Sequence, residues 1–143
     1  MRSRNNIVLG LIAALSGIAP TTLGAQTVTS SYGTRADPFH GGARAHKGID
    51  IAAPAGTPVF ATADGWVEHA GQKGSYGILV TIRHPSGHET RFAHLSRVTV
   101  RKGQAVRKGF QVGNIGSTGR STGPHLHYEV RMNGVALNPA AFM

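Results

Sequence analysis

Cysteine is absent from the 143 residues, so neither a disulfide framework nor thiolate chemistry is open to the chain. Any metal it holds must be held by histidine and carboxylate side chains. Aromatic residues make up only 6%, while glycine numbers 20 and proline 7; that balance argues against a helical bundle and for many turns and short strands, an all-β or nearly all-β fold. Apolar runs are short: the longest, "IVLGLIAALSGIA", has 13 residues, below the roughly 20 that a membrane span needs. No long charge run, dividing repeat or low-complexity linker interrupts residues 26 to 143, which read as one domain large enough to bury a modest core.

What is present at the N-terminus differs from everything after it. Arg2 and Arg4 precede the apolar run, and small residues follow in "TTLGA". That order is the pattern of a secretory signal over residues 1–25, with cleavage after Ala25; an uncleaved N-terminal anchor is the competing reading. Either way residues 26–143 are expected outside the cytoplasm, in the periplasm or secreted, with no membrane span after cleavage. Removing Arg2 and Arg4 takes the formal charge from +9 to +7, which implies acidic partners. Export argues against nucleic acid, and the basic residues are not interleaved with aromatics. An anionic cell-wall polymer suits the compartment better, and a monomer is expected.

Strand candidates follow one another closely. "GIDIAA" and "TPVFATA" flank Pro54-Ala55-Gly56, "GWVEHAG" follows Asp64-Gly65, and "GILVTIRH" is β-branched and alternating with "ETRFAHLS" as its hairpin partner. In "VTVRKGQAVRKGFQVGNIGSTG" the unit V-R-K-G occurs twice, which predicts short strand-turn-strand steps with Gly103 and Gly109 at positive φ. The one stretch with a helical look is the terminal "LNPAAFM".

Two segments carry chemistry. In "TGPHLHYEV", strand alternation sends His125 and His127 to one face and Leu126, Tyr128 and Val130 to the other. In "AHKGIDIAAPAGTPV", His46 and Asp50 stand four apart on an extended stretch of roughly 13 Å, so a bend at Gly48 is needed to bring them to one ion. Together, His46, Asp50 and one histidine of the pair make a two-His, one-carboxylate set with a fourth position open to water, the way catalytic zinc is held. The other histidine of the pair then lies within reach of that water. His94 in "RFAHLS" falls on a strand, and taken alone reads as a half-buried strand histidine. His40, His69, His84 and His88 read as surface residues of turns and strand edges, His40 with the reservation that its loop leads to His46.

"HKGID", "FAHLS" and "GSTGRSTGPHLHYEV" resemble the three signature segments of the lysostaphin-like, or LytM-type, zinc endopeptidases of family M23, which cut peptide cross-links of bacterial cell walls. The similarity runs from about Ser31 to Pro139. The resemblance implies that residues 26–143 are a peptidase domain, that His46, Asp50 and His127 are ligands of Zn2+, and that His94 and His125 orient or deprotonate the water and stabilise the tetrahedral intermediate. It also implies an antiparallel β-sheet with the active site in a groove floored by that sheet, and a peptidoglycan peptide as substrate. Phe92 stands where many such peptidases have Tyr, and the loop from Phe39 to Ala45 lacks the Tyr that some carry there, which leaves the role of His40 open. Two other classes compete: a catalytically inactive wall-binding regulator of amidases, against which stands the full ligand set, and a biotinyl or lipoyl carrier, against which stands export.

Overall fold

A carboxylate on one short strand lies directly opposite a histidine on a distant one, and the sheet is built around that pairing. The computed structural model describes the backbone of residues 27–30, 33–36 and 43–139, with side chains described for 47–139. Its strands are β1 (Thr27–Ser30), β2 (Gly33–Ala36), β3 (Ala43–His46), β4 (Ile49–Ala52), β5 (Pro58–Phe60), β6 (Gly65–Gln72), β7 (Ile78–Arg83), β8 (His88–Val98), β9 (Ala105–Val106), β10 (Gln111–Ile115), β11 (His125–Met132) and β12 (Val135–Leu137). A 3-10 turn spans Gly74–Tyr76. No helix among them is long and apolar enough to cross a membrane.

Ten strands form one antiparallel sheet in the order β1-β4-β11-β8-β7-β6-β9, with β10 bridging β5 and β8 and β12 beside β11; β2 and β3 pair separately. The β7–β8 hairpin is the one expected from "GILVTIRH" and "ETRFAHLS". Both V-R-K-G units close as turns, with Gly103 at φ 88 and Gly109 at φ 84, and hydrogen bonds from Gln104 N to Arg101 O and from Phe110 N to Arg107 O. Of "LNPAAFM", Leu137 ends a strand and residues 140–143 lie outside the described residues, as do the signal-peptide reading over 1–25 and His40.

The core lies against one face of the sheet. Ile49 and Ile51 of β4, Leu126, Tyr128 and Val130 of β11, Phe92 of β8 and Val80 and Ile82 of β7 are buried together, each large aliphatic or aromatic side chain contributing about 1.5–3 kcal/mol. Phe92 packs its ring 5.3 Å from that of Tyr128, which places it in the core rather than in a reaction groove. His84 corrects the surface reading: it is buried, with Nδ1 donating to the Asp64 carbonyl at 2.7 Å and Nε2 accepting from Thr90 Oγ1 at 2.8 Å. The Asp64 carbonyl and the Thr90 hydroxyl together satisfy both ring nitrogens.

Candidate metal and catalytic site

β11 lies between β4 and β8, and the register decides which side chains meet. His127 stands opposite Asp50 on one side and Ala93 on the other; His125 stands opposite Ala52. Since β4 and β11 both turn their aliphatic residues to the core, Asp50, His125, His127, Glu129 and Arg131 share the opposite face. Asp50 Oδ1 lies 2.8 Å from His127 Nδ1 and 3.8 Å from His125 Nε2.

Gly48 permits this closeness in two ways. The chain bends there between β3 and β4, as expected, but the larger constraint is contact: a Cβ at Gly48 would stand 2.2 Å from the Tyr128 carbonyl oxygen and 2.9 Å from Glu129 Cγ. Any larger residue would push β4 off β11 and separate Asp50 from His127. His46 is the last residue of β3, with two residues between it and the start of β4; its side chain lies outside those described.

His94 reaches the site by breaking the strand alternation. Regular alternation would aim it with Phe92 into the core. Instead β8 carries one extra residue there: Val80 pairs Phe92 while Ile78 pairs Leu95, a bulge with His94 at φ 61. The ring is thereby turned out of the core to lie 4.7 Å, centroid to centroid, from His125 and 6.0 Å from His127. A non-glycine residue in this left-handed region costs about 1–2 kcal/mol. His94→Gly is therefore expected to be more stable than His94→Ala by about 1 kcal/mol, both lacking the ring. Urea midpoints compare them; equal values would mean the backbone at 94 is not held at positive φ.

Hydrogen bonds fix which nitrogen of each ring carries the proton. His94 Nδ1 faces the Thr118 carbonyl at 2.7 Å, and His125 Nδ1 faces the Gly123 carbonyl at 2.9 Å with Ser121 Oγ at 3.1 Å. A carbonyl only accepts, so both Nδ1 atoms donate, and the neutral form of each ring has its lone pair on Nε2. Burial lowers the His94 pKa, aided by the neighbouring histidines and opposed by the Thr118 carbonyl and Asp50, so the ring is neutral and basic at Nε2 near neutral pH. Thr118 is itself clamped, its Oγ1 donating to Leu95 O at 2.6 Å and accepting from Ile78 N at 3.0 Å. The loop holding it packs so tightly that a Cβ on Gly119 would stand 2.3 Å from Gly77 N. This is the physical content of the Gly-Ser-Thr-Gly approach to the histidine pair.

His127 is in a different electrostatic state. Burial pulls its pKa down, but hydrogen bonds and charge from Asp50 and Glu129 outweigh that and raise it to about 9. Glu129, buried yet bonded to His127 and Arg131, is held down at about 2. A ring gripped at both nitrogens by carboxylates demands positive charge on it or beside it. The sequence reading passed over Glu129; its only signal was its place two residues beyond His127 on the same strand face.

Among the described residues no three His, Asp or Glu side chains close on a single metal position. The donor set that is described nevertheless suits zinc. Ligand atoms sharing a tetrahedral ion at about 2.0–2.2 Å lie roughly 3.3 Å apart. Asp50 Oδ1 and His127 Nδ1, at 2.8 Å, face each other with His127 Nε2 anchored behind, and an oxygen with an imidazole nitrogen is zinc's ordinary company.

A family model described as "Peptidase family M23" matches residues 44–139. The DD-carboxypeptidase/endopeptidase Mpg of Neisseria meningitidis is 53% identical over 114 residues, which are 80% of this chain and 26% of that protein. A zinc-containing peptidase from Vibrio cholerae has a TM-score of 0.75 and 38% identity over 79% of this chain and 35% of its own. The catalytic domain of lysostaphin from Staphylococcus simulans has a TM-score of 0.75 and 32% identity over 85% of this chain and 95% of that domain. The chain spans about a quarter of the length of the curated relatives it matches.

Proposed function

Because the chain belongs to peptidase family M23, and so is a metallopeptidase by descent, we propose that it is an exported zinc endopeptidase hydrolysing amide bonds in the stem peptides or cross-bridges of peptidoglycan. The observation that carries the reading is the meeting of Asp50, His125, His127 and His94 at one point where β4, β11 and β8 run side by side. His46, Asp50 and His127 would hold the zinc. When bound, zinc polarises the scissile carbonyl and makes water nucleophilic near neutral pH.

The chain's own residues then handle the proton. His125 and His94 present unprotonated Nε2 atoms, each with its Nδ1–H tied to a backbone carbonyl that keeps the tautomer and steadies the imidazolium when it forms. One Nε2 takes the proton of the attacking water as its oxygen bonds to the carbonyl carbon. The same proton then goes to the departing amine nitrogen as the C–N bond breaks. The second ring takes a proton from solvent, donates it in a hydrogen bond from Nε2 to the oxygen of the tetrahedral intermediate, and returns it to solvent when the carbonyl re-forms.

The basic surface has a location that fits an anionic wall polymer. Arg101, Lys102, Arg107 and Lys108 are exposed on the two V-R-K-G turns, which are pinned to one short segment by hydrogen bonds from Gly103 N to Val67 O and from Gly109 N to Ala61 O, each 2.7 Å. Trp66 and Phe110 are exposed on the same edge, at 44% and 45%. β9, at this edge, lies four strands from β11 along the sheet, so the edge would hold the wall without blocking the histidines. Its attraction is screened by salt.

The test is digestion of purified walls of defined cross-link type at low and high salt, with mass spectrometry of released fragments and metal analysis of the protein. Zinc near one per chain, fragments ending at a cleaved peptide bond, and weaker wall retention at high salt are expected. Full activity of metal-free protein, or release of glycan fragments alone, would overturn the reading.

A further inference from the structure

The face of β11 beyond the histidine pair is where a solvated polar strand would be expected, and it is closed instead. Glu129 is 1% exposed, and every oxygen of its carboxylate is engaged. Oε2 accepts from His127 Nε2 at 2.7 Å; Oε1 accepts from Arg131 Nε at 2.7 Å and from Tyr76 Oη at 3.3 Å, and Arg131 Nη2 forms a second short contact to it. Behind this, Arg131 Nη2 and Arg91 Nη1 both donate to Tyr76 Oη, at 3.1 and 3.3 Å, and Arg91 Nε donates to Glu89 at 3.0 Å. Arg91 also lies over the Tyr76 ring, 5.5 Å from its centroid.

We propose that Glu129 is a positioning residue: it holds the His127 ring by Nε2 so that Nδ1 meets Asp50 at the metal position, and Arg131 with Tyr76 keeps its carboxylate turned to the ring instead of to the metal. The inference rests on the zinc reading of the site. Three arrangements carry it. Asp50 and Glu129 grip opposite nitrogens of one ring, so Glu129 cannot swing to Asp50's side without leaving Arg131's buried guanidinium unpaired. Gly48 leaves room for the Glu129 stem, since a Cβ there would stand 2.9 Å from Glu129 Cγ. The network climbs across β11 and β8 to the 3-10 turn carrying Tyr76, so it locks the ring from three elements at once.

A carboxylate behind a ligating histidine fixes the ring's orientation and raises its strength as a donor, and losing one weakens metal binding by about 10–100-fold. Glu129→Gln is close in shape but neutral, and its amide cannot accept from both Arg131 and His127 through two equivalent oxygens.

The experiment titrates zinc against a competing chelating dye in the full chain and in Glu129→Gln, and records ring nitrogen shifts of His127 by NMR in both zinc-loaded proteins. A dissociation constant raised about 10–100-fold, with a protected Nε2–H signal in the parent that is lost or shifted in the variant, is expected. Equal affinity with an unchanged His127 signature overturns the proposal while the zinc reading stands. If Glu129→Gln does not fold, the parent protein alone decides: a zinc-loaded His127 whose Nε2 carries no hydrogen-bonded proton overturns the proposal, and one that does supports it. Failure of the parent chain to bind zinc at all would instead bring down the reading beneath it.

Discussion

His125→Ala is expected to lower the rate of cross-link hydrolysis by about 10²–10⁴-fold while the protein keeps one zinc per chain. His125 Nδ1 is committed to the Gly123 carbonyl, and its Nε2 lies 3.8 Å from Asp50 Oδ1, beside Asp50 and His127 but without the tight contact that joins those two. Truncation removes the proton acceptor and leaves Asp50 and His127 where they are. Fragment release from walls measures turnover and mass-spectrometric metal analysis measures zinc. Parallel loss of metal and activity would assign His125 to the metal and reverse the roles within the pair.

Stripping the metal is expected to abolish activity and to reverse the direction in which stability responds to pH. In the metal-free protein His127 titrates at about 9 against about 6.5 for an unfolded histidine. Its folded-state pKa is raised, so the stabilisation it contributes is complete below about 6.5 and is lost as pH rises through about 9. Zinc requires Nδ1 without its proton, so over the same window binding should strengthen about tenfold per pH unit. The thermal shift on adding zinc is thus expected to be small near pH 6 and to grow towards pH 9; ligand at about 100 times its dissociation constant adds about 2.7 kcal/mol. Melting curves with and without chelator across that range test it. A zinc-induced shift that is flat with pH would mean His127 does not exchange a proton for the metal.

Much of the scaffold was legible in the chain because it depends on local rules. Alternation in "GILVTIRH" and "HLHYEV" and the glycines of the two V-R-K-G turns each act over a few residues, and the strands fall where these rules put them. The orientation of His84 and the burial of the Glu129 face were not legible, because both depend on partners far away in sequence: Asp64 for one, Tyr76 for the other.

The sequence by itself determined the inventory and its spacing: no thiol for any chemistry, histidines at 125 and 127 on one strand face, a carboxylate at 50 beside a glycine at 48. Period-two geometry and side-chain chemistry require nothing more than the order of residues. Only the tertiary structure decided that Asp50 pairs with His127, that a bulge at His94 sends its ring out of the core, and that Glu129 is buried behind the histidine with Arg131 as its counter-charge. Those outcomes depend on the register between strands far apart in the chain. A one-residue slip would leave every local pattern intact while turning each of these side chains to the wrong face.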